Sequence, residues 1–470
     1  MAPTSRAKRT ASLWVVAAAL GCTTAFAQHR PEPEAAAQEP QPEPSYALPL
    51  AEIAGFDILL NRFNHAYSGS HDYDVSWNTF RTNLHRSWGV DNDPFSVNQL
   101  GHPYQGSMYM GFARSSGLPF WPALGVTFAG SIGWELAGEN TRPSRNDQMA
   151  SGVGGAFLGE ALYRMANLML ENGNGAPRLW REIGAGVISP SNAFNRHIYG
   201  HGYGAIFPSN GATYYSRAQF GVMGATQNQA GSSGNNQRFE AQADFLLEYG
   251  LPGKDDYVYR RPFDYFTFRA TASSTNTFEQ ISTRGLLWGT DYSAGKNYRG
   301  IWGLYGNYDY ISPQTYRVST TGASLGTTGQ WRADDTWTVQ GSALLGVGYT
   351  AVGALNSNRP DDYHYGVTPQ ALAEVRIIRD NRYAIDATLT EYFVARARQN
   401  LGPGGHDNIS RADLSFSYRI SGPHAVSVRY LYNRRDATST TLGGRTQTRG
   451  TVGIFYTLLG QDRFGVVDPK

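Results

Sequence analysis

The sequence predicts an α+β chain, a helical N-terminal region followed by an antiparallel transmembrane β-barrel of about twelve strands. Three observations carry that prediction. The chain opens with an export signal, its hydrophobic period changes from near 3.6 to 2 after about Arg196, and the later half alternates apolar and polar residues over segments of ten residues or more.

The alternation is explicit. Ala412, Leu414, Phe416, Tyr418 and Ile420 interleave with Asp413, Ser415, Ser417 and Arg419. Val426, Val428, Tyr430 and Tyr432 stand opposite Ser427, Arg429, Leu431 and Asn433, and Phe239 through Tyr249 alternates in the same way. Side chains of a strand point to opposite faces, so each segment has one apolar and one polar face. Strands are expected to begin near Thr213, Arg238, Asp264, Phe278, Arg299, Thr315, Thr336, Gly366, Tyr383, Arg411, His424 and Gly450. Their length suits tilted strands that cross a bilayer in about 9 to 11 residues each, which favours a membrane barrel over a soluble sandwich. Aromatic residues make up 13% of the chain. Many stand toward segment ends, among them Tyr249, Trp288, Tyr292, Trp302, Tyr308, Tyr310, Trp337 and Tyr418, where interfacial girdles place rings with a polar tip.

Arg6, Lys8 and Arg9 precede an apolar run from Leu13 to Gly21, and Ala25-Phe26-Ala27 forms a small-residue cleavage site. Leu20-Gly21-Cys22 is a rival lipoprotein-type ending, set against Ala19 where such signals carry Leu. Cys22 is the only cysteine, so cleavage after Ala27 leaves an exported protein with no disulfide to draw on. A closed barrel suits that condition, because its backbone groups are paired all round. The formal net charge of +2 gives no reason to expect nucleic acid as a partner. The expected segments are a signal peptide (1–27), a Pro/Glu-rich linker (28–48), a helical domain (49–205), an outer-membrane barrel (206–460) and a C-terminal tail (461–470). The tail is a departure, since Gln461 to Lys470 follow the last alternating residues Val452, Ile454, Tyr456 and Leu458.

In the helical region, Ile53, Phe56, Leu60 and Phe63 share one face of a first helix, and Trp77, Phe80, Leu84 and Trp88 one face of a second. His102-Pro103 opens a third, with Pro suited to a first turn. No charge occurs between Arg114 and Glu135, but Pro122, Gly125, Gly130 and Gly133 interrupt the apolar stretch, so a buried helix is expected there and not a membrane span. Ser144-Arg145-Asn146-Asp147 reads as a helix cap, with Ser144 bonding the Asp147 N–H. The helix that follows presents Gly152, Gly155 and Gly159 to a close neighbour, expected to be the Trp121 helix.

Over about Trp77 to Arg196 the chain resembles an uncharacterised family of bacterial envelope proteins catalogued only as a domain of unknown function. The likeness rests on Asn83-Leu84 with Trp88; Asp91, Asp93 and Phe95; Asn98 leading to His102-Pro103-Tyr104-Gln105-Gly106-Ser107-Met108-Tyr109; Ala113-Arg114; Ser131 with Trp134-Glu135; Gly138-Glu139; Pro143-Ser144 with Asn146-Asp147; Gly155 with Gly159-Glu160; Arg164; and Asn195-Arg196. The resemblance imports no activity.

Polar groups inside apolar helices are costly unless paired, so the ionisable residues there are the functional candidates. His102, Ser107, Glu135 and Glu160 are the catalytic candidates, as base, nucleophile and carboxylates of a lipid-directed hydrolase or acyltransferase. Tyr109, Arg114, Glu139, Asn146, Asp147 and Arg164 are further candidates. The competing structural expectation is that His102 caps its helix, Glu160 pairs with Arg164 four residues on, and Glu135 is met by Arg114 or by a backbone N–H. No metal or cofactor is expected. Asp91-Asn92-Asp93 starts like a calcium loop, yet Ser96 replaces the needed Gly and His102 the needed Glu. His197 and His201 lie in a glycine-rich, non-helical context. The mixed charges of the barrel's polar face, Glu240, Asp244, Glu248, Arg269, Glu374, Arg376, Asp386, Arg411, Asp413, Arg419, Arg429 and Arg449, fit a filled or narrow lumen. The first functional expectation is thus a narrow channel or structural barrel in the outer membrane, with the helices as plug or periplasmic domain. Its partners would be outer-membrane lipid, the barrel assembly machinery and an unknown envelope protein.

Overall fold

The computed structural model describes residues 43–91, 93–171, 179–200, 203–229, 239–354, 363–395, 405–439, 443–461 and 463–468. The signal peptide, most of the Pro/Glu linker, Cys22, Asn92 and His201 lie outside the described residues. The chain divides into two compact units, one ending at Ser209 and the other beginning at Asn210.

The first unit contains seven helices among the described residues: α1 (Ala47–Tyr67), α2 (Trp77–His85), α3 (His102–Ser115), α4 (Phe120–Ala137), α5 (Gly155–Glu171), α6 (Leu179–Ile188) and α7 (Pro190–Ile198). Local chemistry sets their ends. Ser76 and Thr79 form a reciprocal capping box at α2, Pro103 occupies the first turn of α3, and Pro119 precedes α4. The Ser144 hydroxyl accepts the Asp147 N–H (3.1 Å), as the capping pattern predicts. Neither α3 nor α5 starts cleanly, because π-helical turns, Val97–Gly101 and Gln148–Gly154, run into them. Such turns insert a residue and shift which side chains face inward.

The glycine face of α5 meets α3. A Cβ on Gly155 would stand 2.6 Å from the Gly106 Cα, and one on Gly159 2.6 Å from the Met110 Cβ, so only glycine permits this crossing. The expected pairing of the glycine face with the Trp121 helix holds only at Gly152, which meets Phe128 of α4. In α1 the buried side carries Ile53 but also Glu52 and Asn61, whereas Phe63 is exposed. The expected apolar stripe there is half right, because the inner face is built for hydrogen bonds. Asn61 Nδ2 donates to the Gly138 carbonyl (2.9 Å) and Asn83 Nδ2 to that of Glu139 (3.1 Å), satisfying carbonyls at the end of α4 that have no helical partner. No described helix is long and apolar enough to cross a membrane.

The second unit is a closed barrel of twelve antiparallel strands: β1 (Tyr214–Gln229), β2 (Phe239–Tyr249), β3 (Phe266–Ser273), β4 (Gln280–Ala294), β5 (Tyr298–Ile311), β6 (Tyr316–Arg332), β7 (Trp337–Ala354), β8 (Tyr363–Arg379), β9 (Tyr383–Ala395), β10 (Gly405–Ser421), β11 (His424–Ser439) and β12 (Gly443–Leu459). Each strand pairs with its sequence neighbours, and β1 pairs with β12 to close the ring. Most predicted strand starts fall within three residues of the observed ones. β10 and β12 begin earlier than Arg411 and Gly450, because Gly405–Ser410 and Gly443–Arg449 are too polar or glycine-rich to show the alternation.

Burial fixes which face is which. Leu414 is 50% exposed, with Phe416, Val426, Val428, Val452 and Ile454 likewise facing out, while Asp413, Ser415, Ser417, Ser427 and Arg429 are buried. Apolar out and polar in is the pattern of a barrel solvated by lipid. At the end carrying the β1 start and the β12 finish, aromatic rings flank the short turns. Tyr292 and Tyr298 flank 295–297 with hydroxyls 3.0 Å apart, Trp331 and Trp337 flank 333–336, and Tyr383 packs on Tyr418 with ring centroids 5.3 Å apart. Arg379 lies over Trp337 and Arg382 over Tyr418, as suits an interfacial girdle. Tyr249, Tyr308 and Tyr310, expected in such a girdle, are buried instead.

Leu414 sits mid-strand on the outer face, so Leu414→Arg is expected to cost about 2–4 kcal/mol, read from denaturant unfolding of the protein in lipid vesicles. A loss below about 0.5 kcal/mol, as at an ordinary water-facing site, would contradict a lipid-facing β10.

Candidate functional site

The catalytic candidates of the helical unit fall into two separate polar cores. The first surrounds Glu160, which is fully buried. Arg114 Nε donates to it at 2.6 Å from α3 and Arg164 Nε at 2.8 Å from one turn further along α5, so Glu160 bridges two guanidinium groups. Tyr163 and Phe207 cover Arg114, and Phe207 also covers Arg164, with distances of about 5 Å from guanidinium carbon to ring centre. Arg114 Nη1 also donates to the Leu118 carbonyl. Fully buried and bonded to both guanidinium groups, this carboxylate is a structural tie between α3 and α5. The spacing had indicated Arg164; Arg114, expected near Glu135, goes to Glu160 as well.

The second core lies between the two π-helical turns. His102 Nδ1 and the Ser151 hydroxyl are 3.2 Å apart, and His102 Nε2 stands 3.9 Å from the Asp147 carboxylate. Asp147 accepts the Ser144 hydroxyl (2.5 Å) and an Asn146 amide N–H (3.0 Å). Asn146 Oδ1 accepts the Asp91 N–H (2.8 Å), and Asp91 in turn accepts from Asn98 (3.0 Å) and from the Asp93 N–H (2.9 Å). Glu135 accepts the Ser144 N–H at 2.6 Å, one of the two expected outcomes for it. Glu139 accepts from Trp134 Nε1 (2.9 Å) and the Thr141 hydroxyl (3.1 Å). A third contact ties α3 to α1: the Tyr109 hydroxyl donates to Asp57 and accepts from Gln105 Nε2 (2.6 Å).

Burial is the chief influence on these carboxylates. It pushes Glu135 and Asp147 well above the carboxylate range, helped for Glu135 by the nearby charges of Asp147 and Glu139 and for Asp147 by Asp91. Burial raises Glu139 to about 7, against the pull of His102 and the Trp134 N–H, and Asp93 to about 6, aided by Asp91. Asp57 is raised to about 7 by burial, which the Tyr109 and Gln105 hydrogen bonds partly offset.

The contact expected between His102 and Ser107 is not formed. The Ser107 hydroxyl donates to the Tyr104 carbonyl of its own helix (2.6 Å), and the hydroxyl that reaches His102 is Ser151. Ser151 follows Asp147 by four residues, a spacing that places both on one face; that was the available signal. Ser151, His102 and Asp147 have the residue types of a nucleophile, base and acid. All three are buried, and 3.9 Å is beyond hydrogen-bond reach, so the arrangement is a packed polar core and no reaction is assigned to it.

The barrel lumen holds a third polar array, and its pairs cross the ring. Arg376 on β8 donates to Glu248 on β2 at 2.5 Å, and β2 and β8 are opposite each other in the ring of twelve. Arg411 on β10 donates to Gln280 on the opposite strand β4 (3.1 Å). Arg269 joins Asp244 (2.8 Å) and Asp413 (3.0 Å), Arg429 joins Asp413 (2.6 Å) and Gln242 (3.2 Å), and Arg217 and Arg376 share Asp386. Arg419, expected in the lumen, instead donates to the Asn381 carbonyl at a turn (2.7 Å).

A family model described as "Domain of unknown function (DUF3943)" matches residues 87–191, the stretch containing both polar cores of the helical unit. No curated protein matches the chain. Among solved structures, the outer membrane channel DcaP of Acinetobacter baumannii is 10% identical, covering 53% of this chain and 96% of its own, with a TM-score of 0.25. The NanC porin is 8% identical over 51% of this chain and 98% of its own, TM-score 0.26. OmpT, an outer membrane protein of Vibrio cholerae, is 8% identical over 54% and 98%, TM-score 0.20. The chain is an outer-membrane β-barrel protein, defined by its closed twelve-stranded ring with lipid-facing apolar and lumen-facing polar side chains.

Two predictions come from the helical cores. Glu160→Ala removes the carboxylate shared by two buried guanidinium groups and is expected to cost about 3–5 kcal/mol of helical-unit stability by urea unfolding of the full chain. In the second core the folded state holds its protons more tightly than the unfolded state does. Stability is therefore full below the ordinary carboxylate pKa and falls as pH rises through about 6 and 7 and beyond, by on the order of 1 kcal/mol per carboxylate per pH unit. Glu135→Gln should flatten that fall and raise the urea midpoint under mildly alkaline conditions; an unchanged profile would refute a protonated Glu135.

Proposed function

We propose that the protein is an outer-membrane scaffold: a barrel whose lumen is shut by its own ion pairs and which anchors a helical unit on the periplasmic side. The observation that carries this reading is the Arg376–Glu248 pair between opposite strands, repeated in kind by Arg411–Gln280. A lumen crossed at contact distance has no continuous path for a hydrated solute. Around these bridges, Arg269, Arg429, Asp244 and Asp413 form a second cross-linked layer.

Loop length supports the orientation. At the end carrying the β1 start, 295–297, 333–336, 380–382 and 422–423 are short hairpin turns, with 250–265 the one long exception; at the other end 274–279, 312–315 and 440–442 are short, and 230–238, 355–362 and 396–404 span eight or nine residues each. Outer-membrane barrels keep short turns in the periplasm, which supports a periplasmic β1 start and β12 finish and, because the helical unit immediately precedes β1 in sequence, a periplasmic helical unit. The barrel assembly machinery is the implied partner for insertion, and the helical unit is the part offered to a further envelope protein. The hydrolase alternative finds no support, since the Ser107 hydroxyl is bonded within its own helix and His102 lies in a closed core.

Conductance of the purified full-length protein in a planar bilayer tests the reading. The native chain should show no stable unitary steps, and Glu248→Gln combined with Asp413→Asn, which removes one carboxylate from each layer, should introduce them. Long-lived steps from the native protein would establish a narrow channel and overturn the scaffold.

A further inference from the structure

The chain does not end at the barrel wall. Beyond Leu459 the described tail turns inward, and Phe464 and Val467 are each only 1% exposed. They pack with Tyr215 of β1, Leu251 of the β2–β3 connection, Ile378 of β8 and Ala384 of β9. The tail's backbone is bonded to lumen-facing side chains on the far wall. Gln330 of β6 donates through Nε2 to the Val467 carbonyl (2.8 Å) and accepts the Val467 N–H at Oε1 (3.0 Å), while Gln340 of β7 donates to the Gly465 carbonyl (2.6 Å). Asp468 reaches Arg332 at the end of β6 (2.9 Å).

β6 lies opposite β12 in the ring, so a segment that leaves β12 and bonds to β6 spans the whole mouth. Eight residues beyond Leu459 reach at most about 29 Å, enough for that crossing when extended. Gly465 makes the turn at φ 86°, and a Cβ there would stand 2.9 Å from the Tyr215 Cβ. Gly253 of the β2–β3 connection closes on the tail from the other side, its would-be Cβ 2.8 Å from the Val467 Cβ. Behind this layer lies a polar chamber of about 120 Å³, lined among others by Gln330, Gln340, Arg284, Glu374 and Ser342. That volume holds several waters.

We propose that the tail formed by Gln461 and Arg463–Asp468 is a built-in stopper that seals the periplasmic mouth of the barrel and keeps this chamber from the periplasm. The stopper is separable from the wall. It adds no strand to the sheet, its hydrogen bonds come from two glutamines, and its Asp468 ion pairs are surface-exposed. This goes beyond the scaffold reading, because the cross-lumen pairs close the middle of the lumen whether or not the mouth is sealed.

Thiol access reports the mouth separately from ion flow. Cys22 is the sole cysteine, so Ser342→Cys in a Cys22→Ala background places one thiol in the chamber. In the folded, heat-modifiable full-length protein, a cationic methanethiosulfonate reagent should modify it slowly. Truncation after Gly460 should speed the reaction by about tenfold or more, as expected when a local closed state is lost. Val467→Asp, which keeps the chain length but puts a charge in the apolar contact, should do the same, so a truncation that fails to fold does not decide the matter. Equal rates in the full-length protein and in a folded variant of either kind would overturn the stopper. Equal rates together with a native protein that shows no conductance steps would overturn the stopper and leave the scaffold standing, whereas long-lived steps from the native protein would overturn both.

Discussion

A charge placed inside a twelve-stranded barrel has nowhere to go, and that constraint organises the lumen-facing half of this protein. Eight strands enclose little more than their own side chains and about sixteen leave an aqueous channel, so twelve sit between. Here the interior is filled with guanidinium and carboxylate groups whose desolvation is tolerable only when each finds a partner. Arginine suits this role, because its planar fork reaches two acceptors at once. Arg376 does so with Glu248 and Asp386, and Arg429 with Asp413 and Gln242. The outer face is then free to be wholly apolar, and the sheet needs no edge.

The helical unit applies the same rule on a smaller scale and solves it twice. Around Glu160 the answer is charge pairing, one carboxylate between two arginines roofed by aromatic rings. Around Glu135 and Asp147 the described residues place no arginine in the hydrogen-bond network, and the answer is protonation together with hydroxyl, amide and indole donors. Two environments in one unit thus treat buried acids differently, and in the second the burial of the carboxyls makes stability follow pH.

How far the sequence carried this picture depended on the range of the interaction. Period-two alternation such as Leu414-Ser415-Phe416-Ser417 is a local property, and the strand count, the facing and most strand starts came from it. The Ser144 cap and the Glu160–Arg164 pair lie within four residues and were equally legible. The cross-lumen partners could not be read, because Arg376 and Glu248 are brought together only by ring closure, and a list of charged lumen positions does not say which will meet. Ser151 was missed for a different reason. His102 and Ser151 stand on different helical elements 49 residues apart, so only the packing of one against the other sets which hydroxyl meets the imidazole. The partner of the α5 glycine face was likewise set by which backbone approaches, α3 at Gly106, and glycine spacing alone names no partner.

The tail has a consequence for how the molecule is made. Its docking surface is assembled from β1, β6, β7, β8 and β9 together, so it does not exist until the ring is complete. Contacts of such long sequence separation form late, after the local hairpins. Seating Val467 against Gln330 is therefore a closing step that only a correctly ordered barrel can accept, and a chain with a slipped or missing strand would leave its last residues hanging free, marked as unfinished.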